Sequence, residues 1–406
     1  MIRKRLKFIP IATGIALAIL LVVSGAMVKA SYADDEDHDH ARTDVEAKRT
    51  TATITADGLA SEEAWDDATA MDFEAEAGAQ ANTTTASMKA LFDDDNIYLL
   101  FIWTDATATE SVWESGWVYS SGSFESIANA NPSLYDGAEE DRLALIWDMN
   151  VLGFEDEGCE AICHEWPSQT NETEGLEEKS GMYAEIDGEL ADEWHWKAAR
   201  SNPLGIAHDK YLHYQDADGT AAADWDVEGG HSGDSGSWYS KNKNASGTGP
   251  KYFEPDATGE DAKFILQSEI DSGEAILVAG NESQLADGEK IPGRILDEAT
   301  ATGDVADVKA KGTFLAGVWT LEMKRALDTN SANDVTFDTS KTHFFGISIF
   351  DDGGHFPQHA HSSLHGLTFE GEGTDDSSIS FAVILLGMVV LALLIRPRSH
   401  RSNSDK

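Results

Sequence analysis

The sequence predicts an all-β fold, an antiparallel β-sandwich with long loop insertions. Three observations support this prediction: short apolar runs bounded by turn residues, polar glycine-rich stretches between these runs, and no long amphipathic helix between residues 34 and 376. Apolar runs of about four to eight residues between turn residues are typical of buried strands. Hydrophobic residues make up 41% of the 406-residue chain, and 11 residues are tryptophan. The chain therefore has enough apolar surface for a core.

The predicted strands follow in chain order. Residues 88–92 and 97–103 are apolar runs on either side of an acidic turn, which predicts a hairpin with a largely buried second strand. Residues 142–147 form another short apolar run. Trp319, Leu321 and Met323 alternate with polar residues, which predicts a strand with one inward face. Residues 343–350 predict a buried strand that ends at an Asp-Asp-Gly-Gly turn.

The polar stretches predict the domain boundaries. We assign residues 51–369 to the sandwich and residues 215–262 to a loop insertion within it, because glycine, serine and aspartate dominate there. Residues 34–50 are expected to be an acidic spacer, and residues 370–378 a linker.

Both ends of the chain predict a membrane location. Four basic residues precede an apolar run at 8–28 and small residues before Asp34, so residues 1–33 form a signal peptide or an uncleaved signal anchor. Residues 379–395 are apolar except for Ser380 and precede a basic tail at 396–406. This pattern predicts one transmembrane helix with a cytoplasmic tail. We therefore expect a single-pass protein of the cell membrane, with the sandwich outside the cytoplasm.

The charge excludes one class of partner. Asp and Glu number 73 against 29 Lys and Arg, a net charge of −44. Such a surface repels nucleic acid, so no nucleic-acid partner is expected. Because the acids are spread along the chain, the sequence favours a surface adapted to high salt over a docking site for one cationic partner.

The two cysteines of the chain, Cys159 and Cys163, precede His164. Two thiols can add to the vinyl groups of haem while a neighbouring imidazole ligates its iron, and the usual spacing for this is Cys-x-x-Cys-His. Here three residues separate the cysteines. An exported chain permits covalent haem and also a structural disulfide, so both interpretations stay open.

Six segments occur in an order that resembles the ethylbenzene-dehydrogenase-type haem-binding domain, as in the γ-subunits of the DMSO-reductase family. They are residues 57–68, 88–105, 140–143, 159–164, 191–200 and 319–325. The resemblance implies a β-sandwich that binds one haem and passes electrons to or from a redox partner protein, for which a molybdenum oxidoreductase is the candidate. It does not imply an enzyme, and the sequence has no hydrolase elbow, metalloprotease pair or Walker loop. The early strands are also similar to the DOMON-type and family 9 carbohydrate-binding sandwiches.

The resemblance also implies the cofactor-binding residues. In members with covalent haem, the histidine of the cysteine motif is an axial ligand, which corresponds to His164, and Cys159 and Cys163 are the tethers. In members with non-covalent haem, a methionine before the Trp-x-Trp segment corresponds to Met182. The lysine that these members carry after the last strand is replaced by histidines, of which His361 is nearest the expected position. We expect covalent c-type haem, with non-covalent b-type haem as the alternative, and a second iron ligand at Met182 or His361.

Two other functions remain open at this stage. The sandwich could bind a sugar or another ligand on the cell surface, with the cysteines joined in a disulfide. Alternatively, the histidines at 355, 359, 361 and 365 could bind zinc or copper, because clustered imidazoles suit these ions.

Overall fold

The computed structural model describes residues 42–77, 84–106, 108, 116–127, 140–164, 181–184, 186–214, 232–233, 238–255, 263–351 and 359–371. All of them belong to the unit that begins at Arg42. The predicted signal or anchor (1–33), transmembrane helix (379–395) and basic tail (396–406) lie outside these residues. Within the described ranges, every helix is too short or too polar to cross a membrane.

The described part of the chain consists of strands, short helices and loops. The strands are β1 (Thr43–Arg49), β2 (Met71–Ala77), β3 (Thr84–Phe92), β4 (Asn96–Thr104), β5 (Trp117–Ser120), β6 (Ser123–Ser126), β7 (Arg142–Asp148), β8 (Cys163–His164), β9 (Gly181–Met182), β10 (Leu190–Lys197), β11 (His208–His213), β12 (Ser232–Gly233), β13 (Tyr239–Lys241), β14 (Tyr252–Phe253), β15 (Ile265–Leu266), β16 (Ile276–Leu277), β17 (Lys290–Ile291), β18 (Arg294–Leu296), β19 (Lys309–Leu315), β20 (Val318–Ala326), β21 (His343–Phe350) and β22 (Ala360–Phe369). The α-helices are α1 (Ala64–Asp67), α2 (Phe154–Glu157) and α3 (Gln267–Ser272), and the 3-10 helices are η1 (Gly158–Ala161), η2 (Asn202–Leu204), η3 (Glu282–Gln284) and η4 (Asp304–Ala306).

The main strands form a sandwich of two layers. Strands β11, β10, β7, β21 and β22 are neighbours in the first layer, and β3, β4, β20 and β19 are neighbours in the second. Strands β1 and β2 each pair with both β22 and β3 and so join the layers. All neighbours along this path are antiparallel except β1, which runs parallel to its two partners. The predicted antiparallel β-sandwich is confirmed.

The main core lies between the two layers. Trp147, Trp194 and Phe345 of the first layer and Phe101 and Leu321 of the second are fully buried in one apolar cluster. Each such side chain contributes about 1.5 to 3 kcal/mol on burial. The alternation of these residues along their strands therefore determines which face of each layer points inward.

The predicted strands correspond to observed ones. The predicted hairpin is formed by β3 and β4, with Ala90 opposite Leu99, and the later runs are β7, β20 and β21. In β20, one residue departs from the alternation between buried inner residues and more exposed outer residues. Glu322, on the outer face of this strand, is buried because the segment at 54–68 covers that face.

Part of the predicted spacer is a strand. Residues 43–49, which the sequence analysis assigns to an acidic spacer, form β1 between β22 and β3. Val45 and Ala47 point into the core. The strand was missed because acidic and basic residues surround these two small apolar ones.

The predicted loop insertion at 215–262 also contains ordered elements. Its described residues include β12, β13 and β14, and Trp238 within it is buried.

Candidate functional site

The first layer has an outer face that points away from the main core. Five residues in register cross its strands and are called here the histidine row: His361, Ser348, Ala144, His195 and His208. Trp194 and Trp196 point into the core, so His195 between them points to the outer face. Neighbouring strands lie about 4.8 Å apart, so His361 and His195, three strands apart, are separated by about 14 Å. The short side chains of Ser348 and Ala144 stand between them.

The surroundings of His195 suit a histidine that coordinates a metal ion. It is buried, its Nδ1 lies 3.1 Å from Oε1 of Glu193 but outside good hydrogen-bond geometry, and its Nε2 has no hydrogen-bond partner among the described residues. Burial, and then the charge of Lys197, lower the pKa of His195 well below its ordinary value. A neutral imidazole with one nitrogen against a carboxylate presents the lone pair of the other nitrogen, as metal-binding histidines do.

His208 lies directly opposite His195 on the next strand. It is also buried, and neither of its ring nitrogens has a hydrogen-bond partner in the described part of the chain. Burial is the main cause that lowers the pKa of His208 well below the ordinary value. Buried polar groups without partners are costly and uncommon, so two adjacent ones mark a place where a ligand can supply the missing interaction.

The cysteine segment packs on this same outer face. Cys159 lies in η1 and is buried in a second apolar cluster that contains Ile146 of β7 and Leu212 of β11. The segment continues into β8, where Cys163 is opposite Met182 of β9. The side chain of Met182 is partly buried against the same cluster. The fold thus brings the cysteine segment and the predicted methionine ligand together, although 16 residues outside the described ranges separate their strands.

His361 lies beside the cysteine segment. Its Nε2 is 3.8 Å from Oε1 of Glu160, the residue that follows Cys159, and its side chain is 32% exposed. The backbone of His164 pairs with Gly181, but the position of the His164 side chain lies outside what the structure describes.

The histidines near the C-terminal strand divide between two environments. His359 is next to His361, with ring centroids 5.9 Å apart. His365 instead lies against Phe73 and Phe345 of the core, with Nδ1 2.8 Å from Oγ1 of Thr43. His355 is outside the described residues. Among the described residues, the groups of three or more neighbouring side chains that could hold a metal ion consist of aspartates and include no histidine.

Buried basic residues flank the histidine row. They are Arg142, Lys197, Arg200 and Lys210, each at most 7% exposed. Glu140 accepts hydrogen bonds from the guanidinium and the backbone N–H of Arg200. Burial, and then the positive charge of Lys210, lower the pKa of Lys197 well below its ordinary value. This end of the outer face therefore favours an anionic group, although the whole chain carries a net charge of −44.

Comparison with known proteins assigns the chain to a family. The model of the family described as ethylbenzene dehydrogenase matches residues 62–362. The chain belongs to the ethylbenzene dehydrogenase family. No curated protein matches the sequence.

Solved structures similar to this family member include carbohydrate-binding proteins. A carbohydrate binding module of family 9 from Caldicellulosiruptor kristjanssonii in complex with glucose is 10% identical, with a TM-score of 0.29, and the match covers 82% of this chain and 97% of that one. A putative carbohydrate-binding protein from Bacteroides uniformis is 9% identical, with a TM-score of 0.32, and the match covers 81% and 99% of the two chains.

The structure adds residues to the site that sequence reasoning had expected in this family member. It brings Cys159, Met182 and His361 to one face, and it adds His195 and His208, which the sequence analysis did not select as ligands. The Trp194-His195-Trp196 pattern contained a signal for His195, because a residue between two inward tryptophans points outward. Nothing in the pattern shows that the outer face is itself buried.

Proposed function

We propose that this member of the ethylbenzene dehydrogenase family binds one haem on the outer face of the first layer and transfers electrons outside the cytoplasm. The observation that supports this most is that one sheet face carries the cysteine segment, a thioether and neutral imidazoles. When bound, haem supplies a one-electron couple between ferric and ferrous iron.

The donor set suits haem. The cysteine segment would tether the group, and thioether and imidazole side chains are the usual axial ligands of haem iron. His164, Met182 and His361 are the ligands that the family resemblance implies, and His195 is a further candidate because Glu193 orients its ring. Two of these four residues would hold the iron, and the group would then serve electron transfer without binding a substrate.

The buried basic residues beside the histidine row suit the anionic part of haem. Haem carries two propionate groups, which are anionic at neutral pH. Arg142 and Lys197 are opposite each other in register and lie beside His195, so they would pair with these carboxylates. A bound anion would also offset the burial and the positive charge of Lys210 that lower the pKa of Lys197.

The partner and location follow from the sequence. A redox protein is the proposed partner, with a molybdenum oxidoreductase as the candidate from the family. The apolar stretches at 8–28 and 379–395 support a protein tethered to the cell membrane, with the sandwich on the outside.

Absorbance spectroscopy tests the proposal. The full chain is expressed with the machinery that attaches haem covalently, and we expect a Soret band with one haem per chain. Haem that resists acid acetone in the wild-type chain, and is extracted from a Cys159→Ala, Cys163→Ala variant, would support thioether attachment. A wild-type chain that folds and shows no Soret band contradicts the proposal and favours a ligand-binding sandwich.

Ligand identity needs single substitutions. His164→Ala, His195→Ala, His361→Ala and Met182→Leu are compared with His213→Ala, a partly exposed histidine on β11. Loss of the low-spin bands identifies a ligand, whereas the His213 variant is expected to keep the wild-type spectrum.

A further inference from the structure

An aspartate cluster lies at the inner side of β10 and β11, opposite to the histidine row. It consists of Asp192 in β10, Asp209 in β11, Asp307 directly after η4, and Asp334 in the loop between β20 and β21. Asp209, Asp307 and Asp334 each place one carboxylate oxygen within 4.8 Å of such an oxygen of the other two residues. Asp192 and Asp209 are completely buried, and Asp334 is 3% exposed.

The hydrogen bonds near the cluster leave most of its oxygens unsatisfied. Arg325 donates to Oδ2 of Asp192 at 2.5 Å, and Thr329 donates to Oδ2 of Asp334 at 2.6 Å. Within the described residues, five oxygens have no donor: Oδ1 of Asp192, both oxygens of Asp209, Oδ1 of Asp307 and Oδ1 of Asp334.

Asp209 is the decisive residue. Its side chain is fully buried and points into the cluster, and neither of its oxygens has a donor group among the described residues. The carboxyl group of Asp307 lies within hydrogen-bonding reach, but it could donate only if one of the two groups carried a proton. A carboxylate in this state needs either a proton or a cation. The guanidinium of Arg325 is committed to Asp192 and to the backbone carbonyl of Val335, so it does not provide a hydrogen bond to Asp209.

We propose that the aspartate cluster binds a Ca²⁺ ion. Hard divalent cations take oxygen ligands, and Ca²⁺ accepts six to eight of them in flexible geometry, so the carboxylate oxygens of Asp209, Asp307 and Asp334 together with water suit it. Four carboxylates against one guanidinium leave a charge of about −3, which a divalent ion reduces to about −1.

The ion would connect parts of the chain that are distant in sequence. Asp192 and Asp209 belong to adjacent strands of the first layer, Asp307 precedes β19 at the edge of the second layer, and Asp334 follows β20. Binding would hold this corner of the sandwich together. Because the cluster uses the inner side of β10 and β11, this proposal does not depend on haem binding at the outer side.

Calcium titration of the full chain tests the proposal. The protein is stripped with a chelator and kept in concentrated KCl, which screens the acidic surface. We expect one saturable Ca²⁺ site per chain by calorimetry. We also expect Tm to rise by about 4 °C when Ca²⁺ is in 100-fold excess over Kd. Asp209→Asn should weaken binding at least about 10-fold, while Asp66→Asn, an exposed aspartate of α1, should bind as the wild type does.

Terbium luminescence gives a reading from the wild-type chain alone, should Asp209→Asn fail to fold. Trp194 is opposite Asp209 in register, so light absorbed by tryptophan should sensitise Tb³⁺ in the cluster, and Ca²⁺ should displace it. Absence of a saturable site, or equal binding by the Asp209→Asn variant, would overturn the proposal. A Tm that ignores Ca²⁺ and rises on acidification would also overturn it, because Asp209 and Asp307 would then share a proton.

Discussion

The two layers of the sandwich both bury polar side chains on their outer faces, but these side chains differ in their hydrogen bonding. On the second layer, Oε2 of Glu322 accepts hydrogen bonds from the backbone N–H groups of Gly58 and Ala60, and Oε1 accepts one from Nε1 of Trp65. On the first layer, Nε2 of His195 and both nitrogens of His208 have no partner in the described residues. The same architecture thus buries a carboxylate whose hydrogen bonds are complete and imidazoles whose hydrogen bonds are not.

This difference separates a structural role from a binding role. A buried polar group with all its partners stabilises the segment that supplies them, here residues 57–65. A buried polar group without partners gives no such gain, and the haem that we propose would supply the missing interaction. The comparison predicts that substitutions of buried polar groups on the outer face of the second layer affect folding, and that those on the outer face of the first layer affect cofactor binding.

The largest effect is expected for Glu322→Ala. Removal of this carboxylate leaves several buried N–H groups without an acceptor, so the free energy of unfolding should fall by about 4 kcal/mol. Chemical denaturation measures the loss. Glu74→Ala, at an exposed strand position of β2, should change stability by at most about 0.5 kcal/mol. Equal effects of both variants would remove the basis of the comparison.

The next effect is a dependence on pH from His365. Burial lowers the pKa of His365 to about 4 from the ordinary 6.5. Because the folded-state pKa is depressed, the unfolded chain binds this proton first. The contribution is therefore complete above pH 6.5 and is lost as the pH falls toward 4, by up to about 3 kcal/mol.

Replacement of His365 isolates its contribution to the pH dependence of the unfolding free energy. The unfolding free energy of His365→Gln should decline less between pH 7 and pH 4 than that of the wild type. His361→Gln, on the same strand and partly exposed, serves as the control. A wild-type slope in the His365→Gln variant would show that other groups cause the pH dependence.

A smaller effect is expected for His195→Ala. Without haem, the free energy of unfolding should fall by about 1 to 2 kcal/mol, because the variant loses the contact of Nδ1 with Glu193 but no hydrogen bond at Nε2. With haem, the same variant should lose the low-spin spectrum if His195 is an axial ligand. A loss of stability as large as that of Glu322→Ala would instead indicate a structural role.

The smallest effect on stability is expected for Met182→Leu. The two side chains have similar volume, so the variant should lose about 0.5 kcal/mol in chemical denaturation. In the haem-loaded chain, loss of a thioether ligand should lower the reduction potential, because methionine ligation raises it. An unchanged potential and spectrum would identify Met182 as a packing residue of the second apolar cluster.

Strand periodicity was sufficient to predict much of the fold. The runs at 88–92, 97–103 and 343–350 became β3, β4 and β21, because an alternating or continuous apolar strand can bury its surface in few ways. β1 could not be predicted in the same way, since Val45 and Ala47 are its only core residues and the partners that bury them are more than 40 residues away in sequence.

The sequence by itself determined the all-β class, the likeness to the ethylbenzene dehydrogenase family and the interest of residues 159–164. Only the tertiary structure decided that Met182 and His361 lie beside this segment and that His365 does not. It also decided that His195 and His208 are buried with ring nitrogens that have no hydrogen-bond partner among the described residues, and that Asp209 is buried beside three other aspartates. The physical reason is that burial and hydrogen bonding depend on what packs above a strand face. Strand periodicity shows which way a side chain points, whereas only the complete fold shows what it meets there.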